Sequence, residues 1–309
     1  MRHFLIMLLV STIVSAAMAQ ESDLFCHKRI NLYQFENMPN AKGAGHRDSI
    51  ERNRIWRCEQ PRMYEYLPGA EERKDVAVIL IPGGGYIKQA YETAGVSLAK
   101  WLNSIGVTAF VLLHRLPNQP DMDDPVAGPV MDAQRAVKWV RAHAKDYGIS
   151  PDKIGVMGCS AGAHLSGCVS VIKDDLSKCG DTLDAVSHRP NFAILISPAA
   201  GAANEGKFIR GAKDNVKKLL ERYQIDKMVD KTTAPMLMIH ASNDRTVSPM
   251  NSVAIYTALL SNGIKQSSLH VFPYGAHAIA LRDQPGSTAC WPEIAEQWMR
   301  EIEVLPAAK

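Results

Sequence analysis

This sequence has no Lys/Arg-rich block, no interleaving of aromatic with basic residues, and a formal net charge of only +3 over 309 residues. Nothing in it is built to neutralise a phosphate backbone, so no nucleic-acid partner is expected. It has no low-complexity tract and no internal repeat, which argues against disordered arrays and solenoids. A His-Glu-x-x-His is absent, and no cysteine spacing matches a zinc site, so neither a metal nor a cofactor is expected. Cysteine itself is scarce: Cys26, Cys58, Cys159, Cys168, Cys179 and Cys290. A chain of this length does not need them to replace a core. Cys26 with Cys58 and Cys179 with Cys290 are open pairings that sequence cannot fix. Cys159 and Cys168 lie among small apolar residues and read as buried thiols. Hydrophobic residues at 46% and charged residues at 22% are ordinary for a globular protein.

The first residues are the exception to this plainness. Arg2 precedes an apolar run from Phe4 to Val10 that continues to Val14, and the stretch ends in Ala17-Met18-Ala19. That small-x-small ending is what signal peptidase cuts after, here before Gln20. The alternative, a membrane anchor, is disfavoured by the short run and the lack of a basic stop-transfer flank. Residues 1–19 are therefore expected to be a signal peptide and 20–309 a single domain. The mature chain is expected to be exported, periplasmic or secreted, with no membrane anchor after cleavage.

From about Val76, short apolar runs rich in β-branched residues alternate with amphipathic stretches. The runs at 76–82, 107–114, 153–158, 192–197, 235–241 and 268–273 read as strands. The stretches at 94–106, 130–148, 161–172, 250–263 and 292–303 read as helices. Apolar strands separated by helices imply an α/β fold, a mostly parallel central sheet with helices on both faces. The stretch "RMYEYLP" at 62–68 alternates enough to be an edge strand. Residues 201–233 break the rhythm, and the charged segment "DNVKKLLERYQIDKMVDK" reads as one or two surface helices that could form a small lid.

Gly158-Cys159-Ser160-Ala161-Gly162 falls where a strand should end and a helix begin. A G-x-S-x-G there puts the serine on a sharp turn at the carboxyl edge of the sheet, with glycines relieving the crowding. The bland alternative is a structural serine in a tight turn. A serine hydroxyl is a poor nucleophile without a base, and the base is a histidine held by a carboxylate, in chain order Ser, Asp or Glu, His. His277 follows the last strand and so reaches the same edge as Ser160. His240 and His270 lie within strands and read as facing core or helix. His164, one turn into the helix, reads as bracing the turn, and His114 ends an earlier strand. Asp244, after the strand at 235–241, is the candidate acid, although an Asx-turn role would suit it too. Asp230 precedes that strand, at the wrong edge, and Asp283 lies far into the next segment.

Acyl transfer also needs donors for an oxyanion. Ala161 N–H follows the nucleophile, and the loop Pro82-Gly83-Gly84-Gly85-Tyr86 can offer Gly84 and Gly85. A phosphate-binding loop is the rival, but the spacing fits neither G-x-x-x-x-G-K-[ST] nor G-x-G-x-x-G.

These pieces together resemble the α/β-hydrolases, and within them secreted bacterial carbohydrate esterases of the acetylxylan-esterase type, often labelled esterase/lipase or dienelactone-hydrolase-like. The resemblance runs from about Ile30 to Trp298 and is carried by "ILIPGGGY", "DAQRAVKWVRAHAKDYGISPDKIGVMGCSAGAHL", "PMLMIHASNDRTVSPMNSVAIYTALLSNGI" and "HVFPYGAHAIAL". It implies an α/β-hydrolase fold, a triad of Ser160, Asp244 and His277, an oxyanion hole from Gly84, Gly85 and Ala161, and a carbohydrate or small-molecule ester as substrate, usually an acetyl ester. A serine peptidase or a general small-ester carboxylesterase on the same fold remains open, as does a binding module without activity. The chain departs from the family pattern at Ala163, Asn243 and Ala278, and at Pro82 where many related lipases have histidine.

Overall fold

Apolar, β-branched runs become strands because their side chains pack on both faces of a pleated sheet. In the computed structural model, which describes residues 27–42, 48–200, 213–279 and 286–307, ten are found. They are β1 (Arg29–Asn31), β2 (Ser49–Glu51), β3 (Arg54–Arg57), β4 (Arg62–Tyr66), β5 (Ala77–Ile81), β6 (Thr108–Leu113), β7 (Ile154–Cys159), β8 (Phe192–Ile196), β9 (Met236–Ala241) and β10 (Ser268–Phe272). The signal-peptide expectation, Cys26 and residues 201–212 of the stretch that breaks the rhythm lie outside the described residues, while the charged segment at 214–231 is described and forms two helices, as expected.

Eight strands form one sheet in the order β1-β4-β6-β5-β7-β8-β9-β10. From β6 to β10 every pairing is parallel, while β4 runs antiparallel to both β6 and β1. The expected edge strand at 62–68 is thus one position inside the edge, because the short β1 covers it. Strands β2 and β3 make a separate hairpin. Paired backbone bonds between Ile55 and Gln89, at 3.0 and 2.8 Å, tie it to the segment that follows β5.

The helices are α1 (Ser97–Ser104), α2 (Gly128–Ala142), α3 (Ala161–Val171), α4 (Asp214–Arg222), α5 (Ile225–Met228), α6 (Met250–Ser261) and α7 (Trp291–Glu301). Successive strand residues point to opposite faces, so each strand feeds two cores. Ile79, Phe110 and Leu195 pack with Val137 of α2 and Leu165 of α3. Leu80, Val111 and Ile194 pack on the other face with Leu98 of α1 and Trp298 of α7. Each fully buried aliphatic side chain here is worth about 2 kcal/mol of transfer free energy. No helix among the described residues is long and apolar enough to cross a membrane.

Cys58, Cys159, Cys168, Cys179 and Cys290 all carry free thiols, so the Cys179–Cys290 pairing is not made. Cys159 and Cys168 are buried, and burial pushes the Cys159 thiol up to about 12.

Candidate active site

The carboxyl ends of β5, β7, β8, β9 and β10 gather at one rim. Four of the non-glycine residues with left-handed backbone lie there: Tyr86 (φ 57°), Ser160 (φ 58°), Ser197 (φ 49°) and Ala276 (φ 50°). Each costs conformational energy that its surroundings must offset, a pattern concentrated at functional sites.

Ser160 stands between β7 and α3, at the N-cap position of the helix. Its N–H donates to Ile196 O at 2.8 Å, and its carbonyl accepts from His164 N at 3.0 Å. The flanking glycines are required by contact rather than by their own dihedrals. A Cβ on Gly158 would lie 2.4 Å from Gly162 C and O, and one on Gly162 would lie 2.0 Å from Ile81 O. The turn therefore packs directly onto the end of β5.

His277 comes in from the loop after β10. Gly275 (φ 133°) and Ala276 bend that loop, and Ala276 N–H donates to Asn243 Oδ1 at 2.8 Å. His277 Nε2 lies 2.8 Å from Ser160 Oγ, and its Nδ1 lies 2.7 Å from Asp244 Oδ2. An ionised carboxylate only accepts, so Nδ1 carries the proton and Nε2 is left to accept from the serine hydroxyl. Asp244 Oδ1 accepts from Thr246 N at 2.8 Å and Val247 N at 3.0 Å, so the Asx-turn geometry and the contact to His277 coexist. Burial pushes the Asp244 carboxyl up, but hydrogen bonds from His240 and His277 outweigh it and hold the carboxyl well below the usual carboxylate range.

The glycine loop closes the other side. A Cβ on Gly83 would lie 3.3 Å from Ser160 Cβ and 2.3 Å from Cys159 O, so the loop lies against the serine turn. Gly84 and Gly85 have φ of 143° and 67°. Gly83 O accepts from Ala90 N at 2.8 Å, and Gly84 O accepts from Ile87 N at 3.2 Å. In a trans peptide the following N–H points the opposite way, so the amides of Gly84 and Gly85 turn outward from the loop. Ala161 N–H is the first of α3, where no intrahelical acceptor exists.

Sequence reasoning missed how this loop is secured. Tyr86 Oη lies 2.8 Å from His164 Nδ1, and His164 Nε2 lies 2.9 Å from Tyr223 O, just past α4. A carbonyl can only accept, so Nε2 is protonated and Nδ1 accepts from the phenol. His164 braces the glycine loop and the end of α4, not only its own turn. Burial pushes it down to about 4, so it is neutral at neutral pH. The other histidines are engaged elsewhere. His114 Nδ1 is 2.7 Å from Arg115 O, and His270 Nε2 is 3.0 Å from Ser268 Oγ. His240 is buried, but it contacts the acid: its Nε2 is 3.3 Å from Asp244 Oδ2. Asp230 pairs with Lys173, and Asp283 lies outside the described residues.

Among the described residues, one group of side chains has a spacing that could hold a cation: Cys179, Asp181 and Asp184. Arg135 already bonds Asp181 and lies 3.8 Å from Asp184, as does Lys138. Those cations neutralise the carboxylates.

The BD-FAE family model matches residues 63–259, well over half of the chain. The chain belongs to the BD-FAE family. The match contains the glycine loop, Ser160 and Asp244, while His277 lies just beyond it. Among curated proteins, it is 31% identical over 264 residues to an acetylxylan esterase of Xylanibacter ruminicola, covering 80% of this chain and 49% of that one. It is 27% identical over 260 residues to the endo-1,4-beta-xylanase B of Butyrivibrio fibrisolvens, covering 81% and 40% respectively. The chain thus spans about half, or less, of these two relatives. Among solved structures, the acetyl ester-xyloside bifunctional hydrolase from Caldicellulosiruptor lactoaceticus superposes with a TM-score of 0.74 at 28% identity, covering 90% of this chain and 97% of that one. This BD-FAE chain therefore has the α/β-hydrolase fold that its motifs imply.

Proposed function

We propose that the chain is an exported serine esterase that removes acetyl groups from xylan-type polysaccharides or oligosaccharides. One observation carries the chemistry: the unbroken relay from Ser160 Oγ through both nitrogens of His277 to Asp244, at 2.8 and 2.7 Å. The substrate class rests on the similarity to the acetylxylan esterase and to the acetyl ester-xyloside hydrolase.

Ser160 Oγ attacks the ester carbonyl while its proton passes to His277 Nε2. Asp244 stabilises the imidazolium without taking the proton. The negative oxygen of the tetrahedral intermediate is held by the N–H groups of Gly84, Gly85 and Ala161. The intermediate collapses, the sugar hydroxyl leaves with the proton from His277, and acetate stays on Ser160 as an ester. Water then gives its proton to His277 and attacks that ester, and collapse returns the proton to Ser160 and frees acetic acid.

Acetate release from acetylated xylan, from other acetylated glycans and from p-nitrophenyl acetate tests the reading, each with wild type and Ser160→Ala. Ser160-dependent release that is faster on acetylated xylan is the expected result. Equal turnover by the Ser160→Ala protein would falsify the triad. Ser160-dependent turnover of the small ester alone would replace the polysaccharide by a general carboxylesterase substrate. Export is tested by the mature N-terminus, which should be Gln20.

A further inference from the structure

We propose that His240 is a positioning residue of this site: its Nε2–H bonds Val247 O on the acid loop and stands 3.3 Å from Asp244 Oδ2, the oxygen that receives His277, and so holds in place the carboxylate that orients the base. The inference rests on the serine-hydrolase reading above and adds a residue that no part of that reading requires.

His240 sits in β9, and its side chain, like the Asp244 carboxylate, is 0% exposed. Nε2 faces two acceptors, Asp244 Oδ2 at 3.3 Å and Val247 O at 3.3 Å. Neither can donate, so Nε2 must carry the proton. Nδ1 is 2.8 Å from Ser252 Oγ on α6 and accepts the serine hydroxyl proton. One neutral tautomer satisfies both nitrogens, and the ring cannot rotate without breaking both bonds.

The carboxylate then has three hydrogen-bond donors, Thr246 N and Val247 N on Oδ1 and His277 on Oδ2, and the Nε2–H dipole of His240 lies 3.3 Å from Oδ2 while bonding Val247 O, the carbonyl of a residue whose N–H holds Oδ1. Without His240, Oδ2 would lose the positive Nε2–H beside it, and the Val247 end of the acid loop would lose its tie to β9. A buried carboxylate short of a donor is costly, and it can relieve the deficit only by turning about its own bond or by drawing harder on the His277 proton. The first misplaces the base. The second makes His277 more basic, so that it stays protonated, and unable to accept from Ser160, up to a higher pH. The ionisable groups that bear on His240 are Asp244 and, through it, His277. Around it, β10 sets Val271 opposite in register, β8 leads into Ser197, α6 brings Ser252, and Arg245 on the acid loop is exposed.

The test uses the full chain and p-nitrophenyl acetate, with kcat and KM measured across pH for wild type, His240→Leu, His240→Gln and Ser252→Ala. His240→Leu should lower kcat about tenfold with KM little changed, and should move the acid limb of kcat/KM to higher pH. His240→Gln keeps an N–H donor near the Nε2 position, so it should recover most of the rate and return the limb towards wild type. Ser252→Ala should move the limb in the same direction by less. If the imidazole only fills the core, leucine will serve at least as well as glutamine and no limb will move, which overturns the proposal. Should His240→Leu fail to fold, the decision falls to Ser252→Ala, and an unmoved rate and limb there overturns it as well. A wild type with no Ser160-dependent esterase activity would remove the hydrolase reading and this inference with it. Wild-type activity with insensitive variants removes only this inference.

Discussion

Ser160 lies between two regions built on opposite electrostatic plans. On the β9–β10 side a buried carboxylate is flanked by two histidines, and the region is organised around one negative charge. On the β5 side the glycine loop is held by Tyr86, His164 and the Tyr223 carbonyl, all neutral. Each region contains a fully buried histidine with both ring nitrogens bonded, His240 in one and His164 in the other. The partner decides the work. Against a carboxylate, the ring steadies a group that must stay charged while a proton moves beside it. Between a phenol and a carbonyl, the ring holds backbone in place and must stay uncharged. The contrast suits the proposed reaction, which needs a proton carrier on one side and fixed dipoles for a developing oxyanion on the other.

The comparison can be broken most severely at its centre. Ser160→Ala should lower kcat by roughly a millionfold, read as p-nitrophenyl acetate turnover, whatever the state of either side. Asp244→Asn should cost roughly 10⁴-fold in kcat by reversing the His277 tautomer. A loss no greater than that of the neutral-side variants would mean that the charged side is not charged in function. The neutral side should reveal itself in stability. The folded pKa of His164 is about 4, below the unfolded value of about 6.5. As pH falls, the unfolded chain therefore takes up the proton first. The stabilisation is complete above about pH 6.5 and is lost as pH falls towards 4, about 3 kcal/mol in all. The unfolding free-energy gap between wild type and His164→Gln, measured by denaturant titration, should narrow over that window. A constant gap would show that His164 is not held neutral by the fold. The smallest effect is expected for Tyr86→Phe, which removes one hydrogen bond from the glycine loop. It should lower kcat about tenfold without moving the acid limb, in contrast to His240→Leu. A moved limb would erase the distinction between the two sides.

How legible each part was follows from how local its cause is. The parallel strands and most helices could be read because buried strands are continuously apolar and helices repeat at their own period. The serine turn could be read because its G-x-S-x-G pattern sits between a strand pattern and a helix pattern and Gly158 is crowded by Gly162, four positions away, although what crowds Gly162 is Ile81 on a distant strand. The rim positions of Asp244 and His277 followed from strand ends. The antiparallel β4 looked like an edge because the three residues of β1 are too short to register as a pattern. The β2–β3 hairpin and its grip on Gln89 had no local signal. His240 was legible as buried but not as a partner of Asp244, because period alone tells which face a side chain takes and not what a later turn folds back onto it. His164 was read as a brace, yet what it braces arrives from Tyr86 and Tyr223, 78 and 59 residues away in sequence.

By itself, then, the sequence determined which residues can form strands, where the chain must turn sharply, and which side chains have the chemistry of nucleophile, base and acid. Those properties reside in single residues and their near neighbours. Only the tertiary structure decided the strand order, the 2.8 and 2.7 Å contacts that join Ser160, His277 and Asp244, and the separate duties of two buried histidines. Hydrogen bonds act over about 3 Å, and such distances between residues far apart in the chain exist only once the sheet has brought the ends of its strands together.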